Sequence, residues 1–362
     1  MKKILAAIVC LCLFLSGVNV YALDANTKIA ETERIHKLVF AQVMDYSNIE
    51  QILGDAGSKL IISSTETLYS FTEKPIAILY RFLPQGYAIF DPVAEIVLEY
   101  NTDCNHPAYV NSGGKYYYDG VLRYFKKVGN KFENLLTGAK ESAANRIINT
   151  SQDFYVTQLP QVELRAIGSE LIDAGRSLPH QTLLYNCNTT DNVAEFYPTM
   201  NAAQLANVGG VCGSLACATI VAYYDSYFPE MAGNGDFATD SKKYSGSKAE
   251  HTYGIELVKE FVPYIEPNGN GSIFLNGGMS QYLAAHGIDG GLSLGLFSVY
   301  DAVKNIVEED FPSIVGLYEG HYCVAIGYKN VNGKYIKVDY GHGYNSWITA
   351  SSAGSVWTLY VD

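Results

Sequence analysis

A cysteine flanked by glycines, Cys212, is the residue of this sequence best suited to nucleophilic chemistry. It lies in GGVCGSLACATIVAYYDSYFP, residues 209–229, in which Ser214 to Tyr227 is an apolar run of helical length that Pro229 ends. The run is apolar on nearly every side, which predicts a buried helix with Cys212 at its N-terminus. Unpaired N–H groups and the helix dipole favour an anion there, so we expect a lowered pKa for the Cys212 thiol.

A second cysteine in the same run, Cys217, is an internal comparison. It lies five positions further along, about 140° around the helix from Cys212, so the two side chains cannot share a face. We expect Cys217 to be a small core residue. For a lone cysteine near glycines, burial or a disulfide is the ordinary interpretation, so Cys212 needs support from elsewhere in the chain.

That support comes from GLYEGHYCVAIGYKNVNGKYIKVDYGHGYNSW, residues 316–347, which has the pattern of a β-hairpin. HYCVAIGY alternates as a strand, residues 330–334 form the turn, and YIKVDY returns. His321 opens the first strand and Asp339 closes the second. Because antiparallel pairing places the start of one strand beside the end of the other, we expect His321 and Asp339 to be neighbours. A carboxylate there would fix the tautomer of the imidazole.

These segments resemble the papain-like cysteine peptidases, most closely the C39-like peptidases and the streptopain group. CGSLACATIVAYYD is similar to the C39-like cysteine helix, GHYCVAIGY to the histidine strand, and VDYGHG to the segment that follows it. GGMSQYLAAHGI, residues 277–288, resembles a short helix between these motifs. FLPQGYAIFDPVAEIVLEY resembles, more weakly, the streptopain pro-region.

The resemblance implies an α+β fold in which a helical part carries the Cys and an antiparallel sheet carries the His and Asp, preceded by a smaller α+β pro-domain. It implies a nucleophile at Cys212, a general base at His321 and an orienting acid at Asp339. It also implies a peptide or protein substrate and no metal or organic cofactor. The N-terminal region would then be an inhibitor or a folding aid, as in a zymogen.

Two departures from the family pattern affect the surroundings of the site. These enzymes usually carry a Gln about six positions before the Cys for the oxyanion hole, whereas here Gln204 lies eight positions before it and Asn207 five. Tyr340 and His342 stand where streptopain-like proteins have Trp. His342 is a rival base, but its glycine-rich loop favours a surface or wall position.

Other functions remain open on the sequence. A transglutaminase-like amidase or a cell-wall amidase would use the same three residues for acyl transfer. A non-catalytic secreted binding protein could keep the fold with Cys212 in a disulfide. An α/β-hydrolase is disfavoured, because its acid precedes the His in the chain, whereas Asp339 follows His321.

Composition and the N-terminus indicate the compartment. The chain has 362 residues, 25 Lys+Arg and 37 Asp+Glu, hence 25 − 37 = −12, which disfavours nucleic-acid binding. Residues 1–22 have the charged start, apolar run and small-residue end of a secretory signal, the alternative being a short retained anchor. We expect a secreted protein, extracellular or in the cell envelope, without a membrane anchor. Five cysteines then remain, an odd number that leaves at least one thiol over: Cys104, Cys187, Cys212, Cys217 and Cys323.

The chain divides on pattern into four parts. After the signal at 1–22, residues 23–150 form an N-terminal α+β region, which begins with a helical stretch at 31–45 and continues as turn-linked strands. Residues 151–182 lack clear periodicity and are predicted to be a linker. Residues 183–362 form the peptidase-like domain, with helices first and strands last.

Overall fold

The computed structural model describes residues 34–36, 38–39, 42–43, 61–110, 113–142, 175–178, 211–238, 250–266, 274–295, 298–318, 320–330, 333–341 and 344–362. The predicted signal and most of the predicted linker lie outside these residues. In the part of the chain that is described, no helix combines the length and the apolar character that crossing a membrane requires.

The N-terminal region is an antiparallel meander with one parallel contact. Its described residues form eight strands: β1 (Ile61–Tyr69), β2 (Pro75–Leu83), β3 (Tyr87–Asp91), β4 (Ile96–Asn101), β5 (Tyr116–Tyr118), β6 (Tyr124–Val128), β7 (Lys131–Asn134) and β8 (Lys140–Ser142). The turns predicted around residues 84–86 and 91–92 link β2 to β3 and β3 to β4. This confirms the predicted meander. Residues 34–36, 38–39 and 42–43 are helical, within the predicted helical stretch.

Among its described residues, the C-terminal region begins with three α-helices, continues with one strand and a fourth α-helix, and ends with five strands, so the predicted order of helices first and strands last has one exception. The helices are α1 (Cys212–Tyr227), α2 (Glu250–Ile265), α3 (Leu275–Ala285) and α4 (Val299–Glu308). The strands are β10 (Gly290–Leu294), β11 (Ser313–Leu317), β12 (Tyr322–Asn330), β13 (Lys334–Asp339), β14 (Asn345–Thr349) and β15 (Ala353–Val361). The coarse prediction of a mixed α+β chain is therefore confirmed. The short helix predicted at 277–288 is α3.

One sheet runs through both regions. Its order is β10-β15-β11-β12-β13-β14-β4-β3-β2-β1-β5-β6-β7-β8. The two regions meet where β14 pairs antiparallel with β4, with Trp347 opposite Tyr100 and Ile348 opposite Glu99. Inside the predicted linker, Arg176–Ser177 forms a short strand, β9, that pairs with β12. The domain boundary drawn from the sequence thus crosses a continuous hydrogen-bonded sheet.

A buried lysine ties the N-terminal helical residues to the C-terminal strands. Lys329, in β12, is fully buried and donates from Nζ to the backbone oxygen of Gln42 at 2.9 Å. Its ammonium lies over the rings of Tyr100, Tyr335 and Trp347 at 4.4, 5.4 and 5.2 Å from their centroids. Because a buried charge is costly unless it is compensated, these contacts fix the position of the helical residues on the sheet.

Candidate active site

Cys212 is the first residue of a buried helix, as its sequence predicts. Helix α1 begins at Cys212, and all its residues from Gly213 to Tyr224 are buried. A helix that is apolar on every face can be accommodated only inside the core, here between α2 and the sheet. Cys212 itself stays partly exposed at the tip, whereas Cys217 is fully buried within the helix. The contrast predicted between the two cysteines is confirmed.

The predicted hairpin is formed by β12 and β13. His321 directly precedes β12, and Asp339 is the last residue of β13. The register pairs Asp339 with Val324, three residues beyond His321, after a bulge between Ala325 and Gly327. The bulge shifts the pairing by one residue and brings Asp339 nearer to the His321 end of the strand than an unbroken ladder would.

The imidazole of His321 is oriented by a backbone carbonyl. Its Nε2 lies 3.2 Å from the backbone oxygen of Tyr340, the residue after Asp339. A carbonyl oxygen only accepts hydrogen bonds, so Nε2 carries the proton in this contact. In the neutral imidazole the lone pair is then on Nδ1, which makes Nδ1 the nitrogen that can act as a base.

The backbone beside His321 reaches the Cys212 thiol. The backbone N–H of Tyr322, the residue after His321, hydrogen-bonds to the sulfur together with the N–H groups of Gly213 and Cys212. All three hydrogen bonds favour the thiolate. The beginning of β12 and the beginning of α1 therefore meet at the sulfur, which brings the predicted nucleophile beside the segment that carries the predicted base.

Burial outweighs these hydrogen bonds, so the expectation of a lowered thiol pKa is wrong for this structure. The sulfur is densely surrounded by protein although part of the residue reaches solvent, and desolvation raises the pKa of Cys212 to about 11. The Glu266 carboxylate acts in the same direction. Glu266 is buried and accepts a hydrogen bond from the Ser214 hydroxyl, in the first turn of α1, at 3.2 Å. The resting thiol is protonated at neutral pH.

A tight turn after β13 joins the histidine side of the site to the cysteine helix. The Asp339 carboxylate accepts from the backbone N–H of Gly341 at 2.6 Å. Gly341 has a φ of +76°, and a Cβ added to it would lie 2.1 Å from Cδ2 of Leu215 in α1. Only glycine fits this left-handed turn against the helix. Asp339 thus holds the turn that carries the Tyr340 carbonyl, and its direct contact with His321 stays a prediction.

The buried Asp339 carboxyl predicts a specific pH dependence of stability. Desolvation raises its pKa from 3.8 to about 7, and the Gly341 hydrogen bond offsets only part of that. Between these two values the folded chain binds the proton that the unfolded chain has released. The free energy of unfolding should therefore fall as pH rises from about 4 to 7, by a few kcal/mol. Asp339→Asn removes this contribution, so the difference between the wild-type and variant unfolding free energies should show it in denaturant titrations across that range.

The matched control is Asp301→Asn, because the Asp301 carboxyl contributes a pH dependence of stability of the opposite sign. The Ser298 hydroxyl lowers the pKa of the exposed Asp301 carboxyl, so its contribution to stability is lost as pH falls instead. An Asp339→Asn difference that does not change between pH 4 and 7 would contradict the assignment.

Sequence reasoning missed two contributors to the site. Glu266 follows α2 directly, and nothing in its local sequence shows that it approaches the beginning of α1. The Tyr340 contribution comes from a backbone oxygen, which every residue type has. Gln204, Asn207 and His342 lie outside the described residues, as does Cys187. Cys104, Cys212, Cys217 and Cys323 are free thiols. Within the described ranges, no cluster of three or more His, Cys, Asp or Glu side chains is arranged to hold a metal ion.

Comparison with known proteins gives structural similarity without sequence similarity. No known family model matches the chain. No curated protein matches it either. Among solved structures, a mutant fragment of prointerpain A from Prevotella intermedia is similar with a TM-score of 0.42 and 11% sequence identity, over 83% of this chain and 98% of that one. Similarity at this level says nothing about the activity of this chain.

Proposed function

We propose that this chain is a secreted, papain-like cysteine peptidase that hydrolyses peptide bonds through an acyl-enzyme on Cys212. The observation that carries the proposal is the meeting of α1 and β12 at the Cys212 sulfur. A thiol at the start of a buried helix receives the backbone N–H of the residue that follows His321. Thiol acyl transfer requires a histidine base close to a nucleophilic thiol, and His321 is the neighbour in the chain of the residue that makes this contact.

The raised thiol pKa determines how the first step proceeds. With its pKa raised to about 11, the Cys212 thiol is mostly protonated at pH 7. Attack on a carbonyl therefore requires that Nδ1 of His321 take the Cys212 proton as the C–S bond forms. The Tyr340 carbonyl stabilises the imidazolium by accepting from Nε2. The backbone N–H of Cys212, which donates to the sulfur in the resting enzyme, would donate to the oxyanion once the C–S bond forms.

The second half of the reaction reverses the proton transfer. His321 gives the proton to the leaving amine, the C–N bond breaks, and the acyl group remains on the sulfur. A water molecule then gives a proton to Nδ1 and attacks the thioester carbonyl. The C–S bond breaks, the acid leaves, and the sulfur takes the proton back from Nδ1, which restores the thiol. Asp339 contributes by holding the turn at Gly341, from which the Tyr340 carbonyl reaches the imidazole.

Two alternatives use the same residues differently. In a non-catalytic binding protein Cys212 would be bridged, but Cys212 is a free thiol in the structure. Both an amidase acting on cell-wall peptides and a transglutaminase-like enzyme would share the attack by the thiol. The amidase would differ in the substrate that it cleaves, and the transglutaminase-like enzyme would transfer the acyl group to an amine instead of water. Substrate trials distinguish these from a peptidase.

The test is turnover of a peptide library by the purified protein, with and without a thiol-directed inhibitor. We expect cleavage of internal peptide bonds that the inhibitor abolishes. Peptidoglycan fragments and a glutamine peptide with an amine acceptor are assayed in parallel. Turnover of one of these alone would replace the peptidase assignment with the corresponding amidase or transferase. Cleavage that persists when Cys212 is fully alkylated would exclude Cys212 as the nucleophile.

A further inference from the structure

A buried carboxyl group, Glu99, lies at the junction of the two regions and has no role in the chemistry proposed above. Glu99 is in β4 and is fully buried. The Tyr87 hydroxyl donates to Oε1 at 2.7 Å, and the Tyr124 hydroxyl donates to Oε1 and Oε2 at 2.8 and 2.7 Å. Burial and the Glu99 charge raise the pKa of both phenols well above the ordinary value, so both hydroxyls remain donors.

A buried histidine completes this group. His106 is fully buried, and its Nδ1 accepts from the backbone N–H of Ala108 at 3.1 Å. Its proton in the neutral form is therefore on Nε2, which lies 3.5 Å from Oε1 of Glu99. Four side chains of the N-terminal region thus form one polar group in the interior, which we call the Glu99 cluster: Tyr87, Glu99, His106 and Tyr124.

The Glu99 cluster is hydrogen-bonded to the C-terminal region. Tyr87 gives its only proton to Glu99, so the 2.7 Å contact between its oxygen and the Ser346 hydroxyl has Ser346 as donor. Ser346 is in β14, the strand that pairs with β4. Asn101, at the end of β4, donates from its side chain to the backbone oxygen of Asn345. The beginning of β14 is therefore held in position by side chains of the N-terminal region.

Aromatic contacts continue from there to His321. The Tyr344 ring, directly before β14, lies 5.2 Å from the Tyr340 ring and 6.3 Å from the His106 ring. Tyr340 is fully buried, and its ring lies 6.5 Å from the His321 imidazole. Its backbone oxygen is the one that accepts from Nε2 of His321. Glu99 is thus connected to the oriented imidazole through packed and hydrogen-bonded neighbours only.

We propose that Glu99 and Tyr87 are positioning residues for His321, so that the N-terminal sheet is a working part of the active site. A buried carboxyl group that loses its hydrogen bonds is costly, so the cluster has one favourable arrangement. That arrangement fixes the beginning of β14 and, through Tyr344, the Tyr340 carbonyl. The proposal rests on the proposed function, in which His321 is the base.

The opposite role for the N-terminal region, that of a cover that inhibits the site, predicts the opposite result. If the region only inhibits, weakening its contacts with β14 should raise activity. If the region positions His321, the same changes should lower kcat and leave substrate binding nearly unchanged. The direction of the change therefore separates the two roles.

The experiment compares Tyr87→Phe and Glu99→Gln with Tyr80→Phe in the full chain. Tyr80 is a buried tyrosine of β2 whose hydroxyl has no hydrogen-bond partner among the described residues, so its removal leaves the Glu99 cluster intact. We expect Tyr87→Phe and Glu99→Gln to lower kcat about tenfold to a hundredfold, with KM within about twofold. Tyr80→Phe should change neither.

A second readout does not depend on peptidase activity. In protein with labelled histidines, the imidazole NMR signal that disappears in His321→Ala is that of His321. Tyr87→Phe and Glu99→Gln should shift or broaden it, and Tyr80→Phe should not. If the wild-type protein cleaves no peptide, the proposed function fails. The His321 signal still tests whether the Glu99 cluster positions His321. If Glu99→Gln does not fold, Tyr87→Phe and Ser346→Ala carry the test.

Two results would overturn the proposal. One is wild-type kcat with an unchanged His321 signal in the folded variants, which would make the Glu99 cluster a structural element only. The other is an increase in kcat, which would assign the N-terminal region the inhibitory role.

Discussion

Cys212→Ala is expected to lower kcat for a peptide substrate by about 10⁴-fold or more, with little change in the melting temperature. The sulfur is the only atom of this residue that can form the acyl bond, and alanine preserves the start of α1. Protein surrounds the Cys212 sulfur, although the residue is partly exposed at the helix tip, so the loss of this one atom should cost no more stability than the same change at the fully buried Cys217. Steady-state kinetics and thermal unfolding of the same preparation measure both quantities.

Cys217→Ala is the matched control, because it makes the same chemical change in the same helix. Cys217 is fully buried, so truncation leaves a small cavity and should reduce the free energy of unfolding by about 1 kcal/mol. Its kcat should stay close to the wild-type value. The two variants thus separate chemistry from packing. Peptide hydrolysis by Cys212→Ala at the wild-type rate would show that another group is the nucleophile.

His321→Ala should reduce kcat by about 10³-fold at neutral pH and change the pH dependence of the rate. Without the imidazole, the reaction depends on the thiolate that water alone can generate. Since burial raises the pKa of Cys212 to about 11, the rate of this variant should increase about tenfold per pH unit from neutral pH towards that value. The wild-type rate should depend far less on pH over the same range. Rates measured across the range, within the folded limits of each protein, give the comparison.

His286→Gln provides the control for the loss of an imidazole. His286 follows α3, where its Nε2 lies 3.3 Å from the Glu260 carboxylate and its ring stacks on Tyr282. Its removal should affect stability more than turnover. Equal pH profiles for His321→Ala and the wild type would mean that His321 does not take the thiol proton.

Local patterns in the sequence were sufficient to predict the elements that carry the site. The apolar run from Ser214 to the Pro229 stop predicts α1 with Cys212 at its start, and alternation around the 330–334 turn predicts the β12–β13 hairpin. Both depend on interactions between residues close in the chain, such as helix periodicity and turn geometry. The meander of β2, β3 and β4 was predictable for the same reason. The pairing of β4 with β14 was not, because it joins strands far apart in sequence.

The sequence by itself therefore determined which residues could do chemistry here and on which helix and strand they lie. Only the tertiary structure decided the state of those residues. The thiol pKa is raised because packing removes water from the Cys212 sulfur and places Glu266 nearby. The imidazole is oriented by the Tyr340 carbonyl, which has no side-chain signature. The Glu99 cluster contacts the neighbours of His321 because β4 and β14 are paired strands of one sheet. Desolvation, backbone contacts and long-range strand pairing depend on distances between residues that are far apart in the chain. Local sequence patterns do not reveal those distances.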